Sequence, residues 1–294
     1  MHAVLITAYK DYNALLRLVR RFDQRFFRLF IHVDKKSRYT DAEIQTLRSA
    51  GAEVSQIFFV RWGSHAHLQA ILHLMHGAIG VGPLDYIHVI SGQDYPLHDC
   101  AEFERRCDGR IYVGHEPLEE QPAFVRERYE FGDPFHGLLA GRFGSRRLHK
   151  FLTRRTSRFR KVIGRPRKEF GPYTNLYKGL VWCSFPAWVG ARLLHDAKTK
   201  AFLSAIRNTR IAEEIFFPTY FLNSDLASLV AQNDLRYVDW DERNGSSPAV
   251  LDLSDRDDVL RADALFMRKV SSATSTQLLD AVDEARFNSR VPRN

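Results

Sequence analysis

The chain opens on short apolar runs separated by amphipathic stretches. Ala3–Thr7 is an unbroken apolar segment of strand length, and Tyr12–Phe22 puts Leu15, Leu16, Val19 and Phe22 on one helical face. Phe27–Asp34 reads as a second strand, Asp41–Ala50 as a helix closed by Gly51, and Glu53–Phe59 as a third strand. Ser64–Ile79 carries Leu68, Ile71, Leu72, Met75 and Ile79 on one stripe and predicts a helix. Tyr86–Ser91 predicts a fourth strand, which delivers Gly92–Pro96 into a loop. Strands alternating with helices at this spacing imply an α/β fold: a mostly parallel central sheet flanked by helices on both faces. Such sheets bind ligands beyond the carboxyl ends of their strands. Thr7, Asp34, Arg61 with Trp62, and Asp94 all fall at or just past such ends.

Regularity fades after Ile111–Val113 and returns with Tyr177–Phe185, helices around Pro186–Asp196 and Lys198–Asn208, and the segment Ala212–Asn223. A strand at Leu235–Asp239, a helix near Arg256–Ala262, the apolar Leu265–Val270 and a polar tail follow. One domain over 1–294 is expected, with a basic insertion at 116–172 between the parts 1–115 and 173–270. A tail at 271–294 completes it.

Composition narrows the class. Hydrophobic residues at 45% and charged residues at 27% exclude disorder and a fibrous architecture. No run approaches the roughly 18–20 apolar residues of a membrane span. Met1–Ile6 enters a strand without a basic segment or cleavage site, so a soluble protein without an export signal is expected. Cys100 and Cys107 fall on one helix about 10 Å apart, beyond the roughly 7 Å that a disulfide bridges. A reducing cytoplasm follows as the expected location.

The net charge of +8 is uneven: residues 141–168 hold twelve Lys or Arg and no acid, and the remaining 31 basic residues face 35 acidic ones. A solvated surface insertion is the plain reading. Peripheral contact with an anionic membrane, or with an anionic acceptor, is the functional one. Nucleic acid is not expected as a partner, since only Phe143, Phe151 and Phe159 interleave with the cations and no nucleic-acid module is visible.

Several signatures are absent. Gly80-Val81-Gly82 precedes a strand instead of following one, and there is no phosphate-binding loop, nucleophile elbow or His-Glu-x-x-His. His65, His67, His73 and His76 have no neighbouring carboxylate or cysteine and read as surface or half-buried residues, not metal ligands. A divalent ion on a diphosphate would call for paired carboxylates at a strand end. Gly92-Gln93-Asp94 offers only one, and Asp239-Trp240-Asp241 follows a late strand. No metal or cofactor is therefore expected, and Arg268-Lys269 would supply the cations instead. Glu213-Glu214 opens an apolar helix, where acids ordinarily complement the helix dipole. Pro218 lacks an N–H, so the Glu214 carbonyl four residues earlier loses its helical partner.

These segments fall into a series. Ile31-His32-Val33-Asp34-Lys35-Lys36-Ser37, Val60-Arg61-Trp62-Gly63 and Ile90-Ser91-Gly92-Gln93-Asp94-Tyr95-Pro96-Leu97 come first. Glu214-Ile215-Phe216-Phe217-Pro218-Thr219 with Asn223-Ser224, Leu235–Trp240, Ser247-Pro248-Ala249 and Leu265–Lys269 follow. In this order and spacing the chain resembles the core-2/I-branching β-1,6-N-acetylglucosaminyltransferase family, which includes the peptide O-xylosyltransferases. Absence of an anchor and of many disulfides suggests a bacterial-type member.

The resemblance implies an A-type nucleotide-sugar glycosyltransferase fold, with 1–115 as its nucleotide-binding half and 173–270 as its acceptor and catalytic half. It also implies a UDP-sugar as the donor substrate, inversion at the anomeric carbon, no metal requirement, and a glycan or polysaccharide acceptor. Carried over, Thr7 and Asp34 would contact the uridine, with Arg61, Trp62 and Asp94 beside the nucleotide. Arg268 and Lys269 would grip the diphosphate near Ser246, where the N-acetylglucosaminyl branch has an arginine and this chain is closer to the xylosyl branch. Glu214 would be the general base, and Trp182 and Trp240 would face the acceptor. The family's Gly-Ser-x-Trp stands here as Gly179-Leu180-Val181-Trp182. Two other functions compete: a nucleic-acid-binding protein using the basic stretch, and a UDP-sugar-binding protein that hydrolyses its ligand or transfers nothing.

Overall fold

The structure is a computed structural model and describes residues 1–130 and 169–288. The basic stretch at 141–168, and with it the expected membrane contact, lies outside the described residues.

The strands are β1 (His2–Ala8), β2 (Phe27–Val33), β3 (Ala52–Ser55), β4 (Tyr86–Ser91), β5 (Asp94–Pro96), β6 (Ile111–Val113), β7 (Glu116–Pro117) and β8 (Tyr177–Lys178). After them come β9 (Cys183–Pro186), β10 (Val230–Ala231), β11 (Arg236–Val238) and β12 (Phe266–Arg268). The helices are α1 (Tyr12–Arg21), α2 (Asp41–Ser49), α3 (His65–Gly80), α4 (Cys100–Arg106), α5 (Ala123–Glu130) and α6 (Ala187–His195). Then follow α7 (Ala197–Ile206), α8 (Glu213–Leu222), α9 (Arg256–Arg261) and α10 (Thr276–Asp283).

A seven-stranded sheet in the order β10-β6-β9-β4-β1-β2-β3 is parallel except for β9, which runs antiparallel to both neighbours. This is the mostly parallel, helix-flanked α/β architecture that the periodicity predicts. Alternation along the central strand explains the two layers. Ala3 and Leu5 of β1 point into a core with Leu68, Ile71 and Met75 of α3 and Phe216 of α8. Val4 and Ile6 point the other way, toward Leu15 and Val19 of α1 and Phe266 of β12.

Three segments differ from the expected pattern. The third strand stops at Ser55, well short of Phe59. Beyond it the Phe58 N–H bonds the His32 ring and the Lys35 N–H bonds the Phe58 carbonyl, so loop contacts replace a ladder. Gly92–Pro96 is not all loop: β5 pairs antiparallel with β12, which pairs with β11 in a second, three-stranded sheet. Three residues are too few to show a period, and their partner lies some 170 positions away, beyond any local signal. The tail contains α10, which buries Leu278, Leu279 and Val282 and is tied by Arg17 to Asp280 and Asp283 at 2.8 and 2.7 Å. Among the described residues, no helix is long and apolar enough to cross a membrane.

Candidate active site

The expected base sits at the start of α8. Pro218 leaves the Glu214 carbonyl without its helical donor, and the Gly179 N–H supplies the missing bond at 2.8 Å. That bond sets β8 against the first turn of α8. Lys178, next in sequence, then brings its Nζ within 3.9 Å of Glu214 Oε2. Tyr129, at the end of α5, donates its hydroxyl to the same oxygen at 2.7 Å. Only glycine fits at 179: a Cβ there would stand 1.8 Å from the Gly114 carbonyl oxygen and 3.5 Å from Pro218. Gly179→Ala should therefore cost about 1–3 kcal/mol of stability, the usual penalty of overpacking. Denaturant unfolding of the two proteins checks this.

Half-buried, Glu214 has its pKa raised above the ordinary carboxylate value chiefly by loss of water, opposed by the Tyr129 hydrogen bond and the Lys178 charge. The like charge of Glu213 raises it further but is the smaller effect. Burial also pushes the Tyr129 phenol up, so it stays a protonated donor to Glu214.

Glu213 does more than complement the helix dipole. It is buried, and its Oε1 lies 3.1 Å from Nδ1 of His67 on α3. The other ring nitrogen, Nε2, lies 3.1 Å from Thr7 Oγ1 at the carboxyl end of β1. His67 is thus the hub between the first turn of α8 and the carboxyl end of β1. Sequence reasoning leaves it among the unremarkable histidines, and likewise misses Tyr129 and Lys178. Nothing local marks any of them, since their partners are 146, 85 and 36 residues distant.

The second cluster is built by the small sheet. Antiparallel pairing of β5 with β12 sets Asp94 opposite Arg268, whose Nη1 lies 3.5 Å from Asp94 Oδ1. Asp94 is fully buried, and its Oδ2 accepts the Ser91 N–H at 2.6 Å. The Arg268 guanidinium lies 4.4 Å from the centre of the Trp182 ring, whose edge meets His67 at 6.1 Å. Trp182 is 8% exposed. Its ring supports Arg268. Beside them Lys269 donates to Ser246 Oγ at 3.0 Å, and its pKa is lowered by burial and by Arg268.

The remaining expected residues are more dispersed. Asp34 is buried just after β2, where its Oδ1 accepts the N–H groups of Lys36 and Val60, each at 3.1 Å. It joins the loops after β2 and β3 at the strand ends. Arg61 stacks at 5.9 Å on Phe59, and Trp62 is exposed with Arg210 5.7 Å from its ring. Trp240 is exposed as well, and its carbonyl accepts from Ser247, in the loop that carries Ser246. Asp239 is held by Arg243, which also binds Asp252 and Asp255. Among the described residues His2, His88 and Cys107 lie close enough together to hold a metal ion. His2 stands at the opposite end of β1 from Thr7.

Residues 3–131 match the model of the Core-2/I-Branching enzyme family. The match contains Thr7, Asp34, Arg61, Trp62, His67, Asp94 and Tyr129, while Glu214, Arg268 and Lys269 fall beyond it. No curated protein matches the chain. Among solved structures, residues 1–349 of Staphylococcus aureus TarS are 13% identical over 71% of this chain and 56% of that one, with a TM-score of 0.31. The same protein in complex with UDP is 16% identical over 38% of this chain and 35% of that one, with a TM-score of 0.28. HddC from Yersinia pseudotuberculosis is 15% identical over 46% of this chain and 64% of that one, with a TM-score of 0.25. In each case less than two thirds of the other protein's length is spanned.

Proposed function

We propose that the chain is an inverting, metal-independent glycosyltransferase that moves a sugar, N-acetylglucosamine or xylose, from a UDP-sugar to a hydroxyl of a glycan or polysaccharide. The observation that carries this reading is the setting of Glu214: a half-buried carboxylate held by Tyr129 and Lys178, one residue from the link to the end of β1. The family match over residues 3–131 supports the same class.

In this mechanism Glu214 accepts the proton of the acceptor hydroxyl as its oxygen bonds to the anomeric carbon. The bond from that carbon to the diphosphate oxygen breaks on the opposite face, and UDP departs with the electron pair. Arg268 and Lys269 offset the charge that develops on the diphosphate. Pairing of Asp94, the lone carboxylate of the segment 92–97 after β4, with Arg268 supports charge compensation by side chains in place of a divalent ion. The cations at 141–168 would keep the enzyme beside an anionic membrane or acceptor on the cytoplasmic side.

Titration calorimetry in excess chelator tests the nucleotide site. UDP should bind undiminished, and Lys269→Ala should weaken it by about 1.5–3 kcal/mol, the value of a charge-assisted hydrogen bond. Binding that disappears with chelator and returns with manganese would overturn the metal-free site.

A further inference from the structure

The contacts around His67 impose a direction on a chain of hydrogen bonds. A carboxylate offers only acceptors. Glu213 Oε1, 3.1 Å from His67 Nδ1, therefore requires the proton to sit on Nδ1. In the neutral ring the opposite nitrogen, Nε2, is then a bare acceptor. Thr7 Oγ1, 3.1 Å from Nε2, must point its hydroxyl proton at the ring. What remains free on the Thr7 oxygen is its lone pairs. Glu213 is otherwise little engaged among the described residues: its side chain is 7% exposed, and Oε2 lacks a hydrogen-bond partner.

We infer that Glu213 and His67 form a positioning relay that fixes the Thr7 hydroxyl as a hydrogen-bond acceptor, so that this strand end selects a ligand with an N–H or O–H there. The inference rests on the reading of the ligand as a UDP-sugar. Thr7 lies at the carboxyl end of the central strand, beside the Asp34 and Asp94 loops: the Asp34 N–H bonds the Ala8 carbonyl and the Gly92 N–H bonds the Thr7 carbonyl. On the nucleoside half of UDP two kinds of group have the required chemistry, the uracil N3–H and the ribose 2′- and 3′-hydroxyls. Cytosine presents an acceptor at N3, and a 2′,3′-dideoxyribose presents no hydroxyl at either carbon. The acids of α8 thus divide their work, with Glu214 facing the reaction and Glu213 reading the nucleoside through two intermediaries.

Calorimetry with UDP, CDP and 2′,3′-dideoxy-UDP on the wild type, Thr7→Val and Glu213→Gln tests the relay. The wild type should favour UDP over the analogue that lacks the group being read. CDP and 2′,3′-dideoxy-UDP tell which kind of group that is. Thr7→Val keeps the shape of the side chain and removes its oxygen. It should shrink that one preference by roughly three- to tenfold, the worth of one hydrogen bond, and leave the other preference unchanged. Glu213→Gln can offer an N–H to Nδ1 and reverse the relay, so it should shrink the same preference without touching the ligand. Thr7→Ser, which retains the hydroxyl, should restore it. A common loss of affinity for all three nucleotides in Thr7→Val, or no loss for any, would overturn the relay while leaving the UDP reading intact. A wild type that binds none of the three would overturn both.

Discussion

Glu214→Gln should lower sugar transfer by roughly 100-fold or more, with UDP affinity close to that of the wild type. The amide keeps the shape of the side chain and can still accept the Tyr129 hydroxyl, which lies 2.7 Å from Oε2. What it cannot do is take a proton from the acceptor. Chemistry should therefore suffer and nucleotide binding should not. The wild-type pH profile carries a second signature. Burial raises the pKa of Glu214, and a general base works only when ionised. The acid limb of kcat should then lie above the ordinary carboxylate range, with activity rising as pH increases through it. Lys178 and Tyr129 oppose the rise. Lys178→Met should accordingly move the limb to higher pH still. If Glu214→Gln retains most of its transferase activity, the base is elsewhere, with Asp94 or Asp239 next to be replaced.

Arg268→Ala should be the costliest change in the second cluster, and through stability as much as through ligand binding. Its guanidinium pairs with a fully buried Asp94 and covers the Trp182 ring. Removing one partner of a buried ion pair strands the other charge, which typically costs about 3–5 kcal/mol. The two Ser91 hydrogen bonds to Asp94 Oδ2 place the expected loss toward the lower end of that range. Denaturant unfolding should show the loss, and binding of UDP should weaken in parallel. Arg268→Ala combined with Asp94→Asn should recover part of the stability without recovering UDP affinity, because the asparagine needs no counter-charge. Full recovery of both would mean that Arg268 serves the fold alone.

The contrast between the two clusters shows what the chain discloses before it is folded. The central sheet is legible because β1, β2 and β4 are apolar runs separated by helices with a clear stripe, and local periodicity is enough to find them. Glu214 is legible through Pro218: a missing N–H four residues on exposes a carbonyl, and the structure supplies Gly179 as its partner. Arg268 and Lys269 stand out as cations closing an apolar run. The small sheet is not legible. Asp94 and Arg268 are neighbours only because β5 and β12 pair across most of the chain, and no window of sequence contains both. His67 is hidden for a related reason. One turn of α3 fixes which way its ring points, but its two partners come from β1 and α8. Trp182 has the composition of a sugar platform, and its contact with Arg268 is one that only tertiary packing creates.

The central claim is transfer from a UDP-sugar to a hydroxyl by the Glu214-centred site. The most direct measurement incubates the wild type and Glu214→Gln with a panel of UDP-sugars and scores release of UDP with and without cell-envelope extract as the source of acceptor. The expected result is release from one UDP-sugar that depends on the extract and is almost abolished in Glu214→Gln. Release at the same rate without extract would identify a hydrolase, and absence of release from every UDP-sugar with extract present would contradict the assignment.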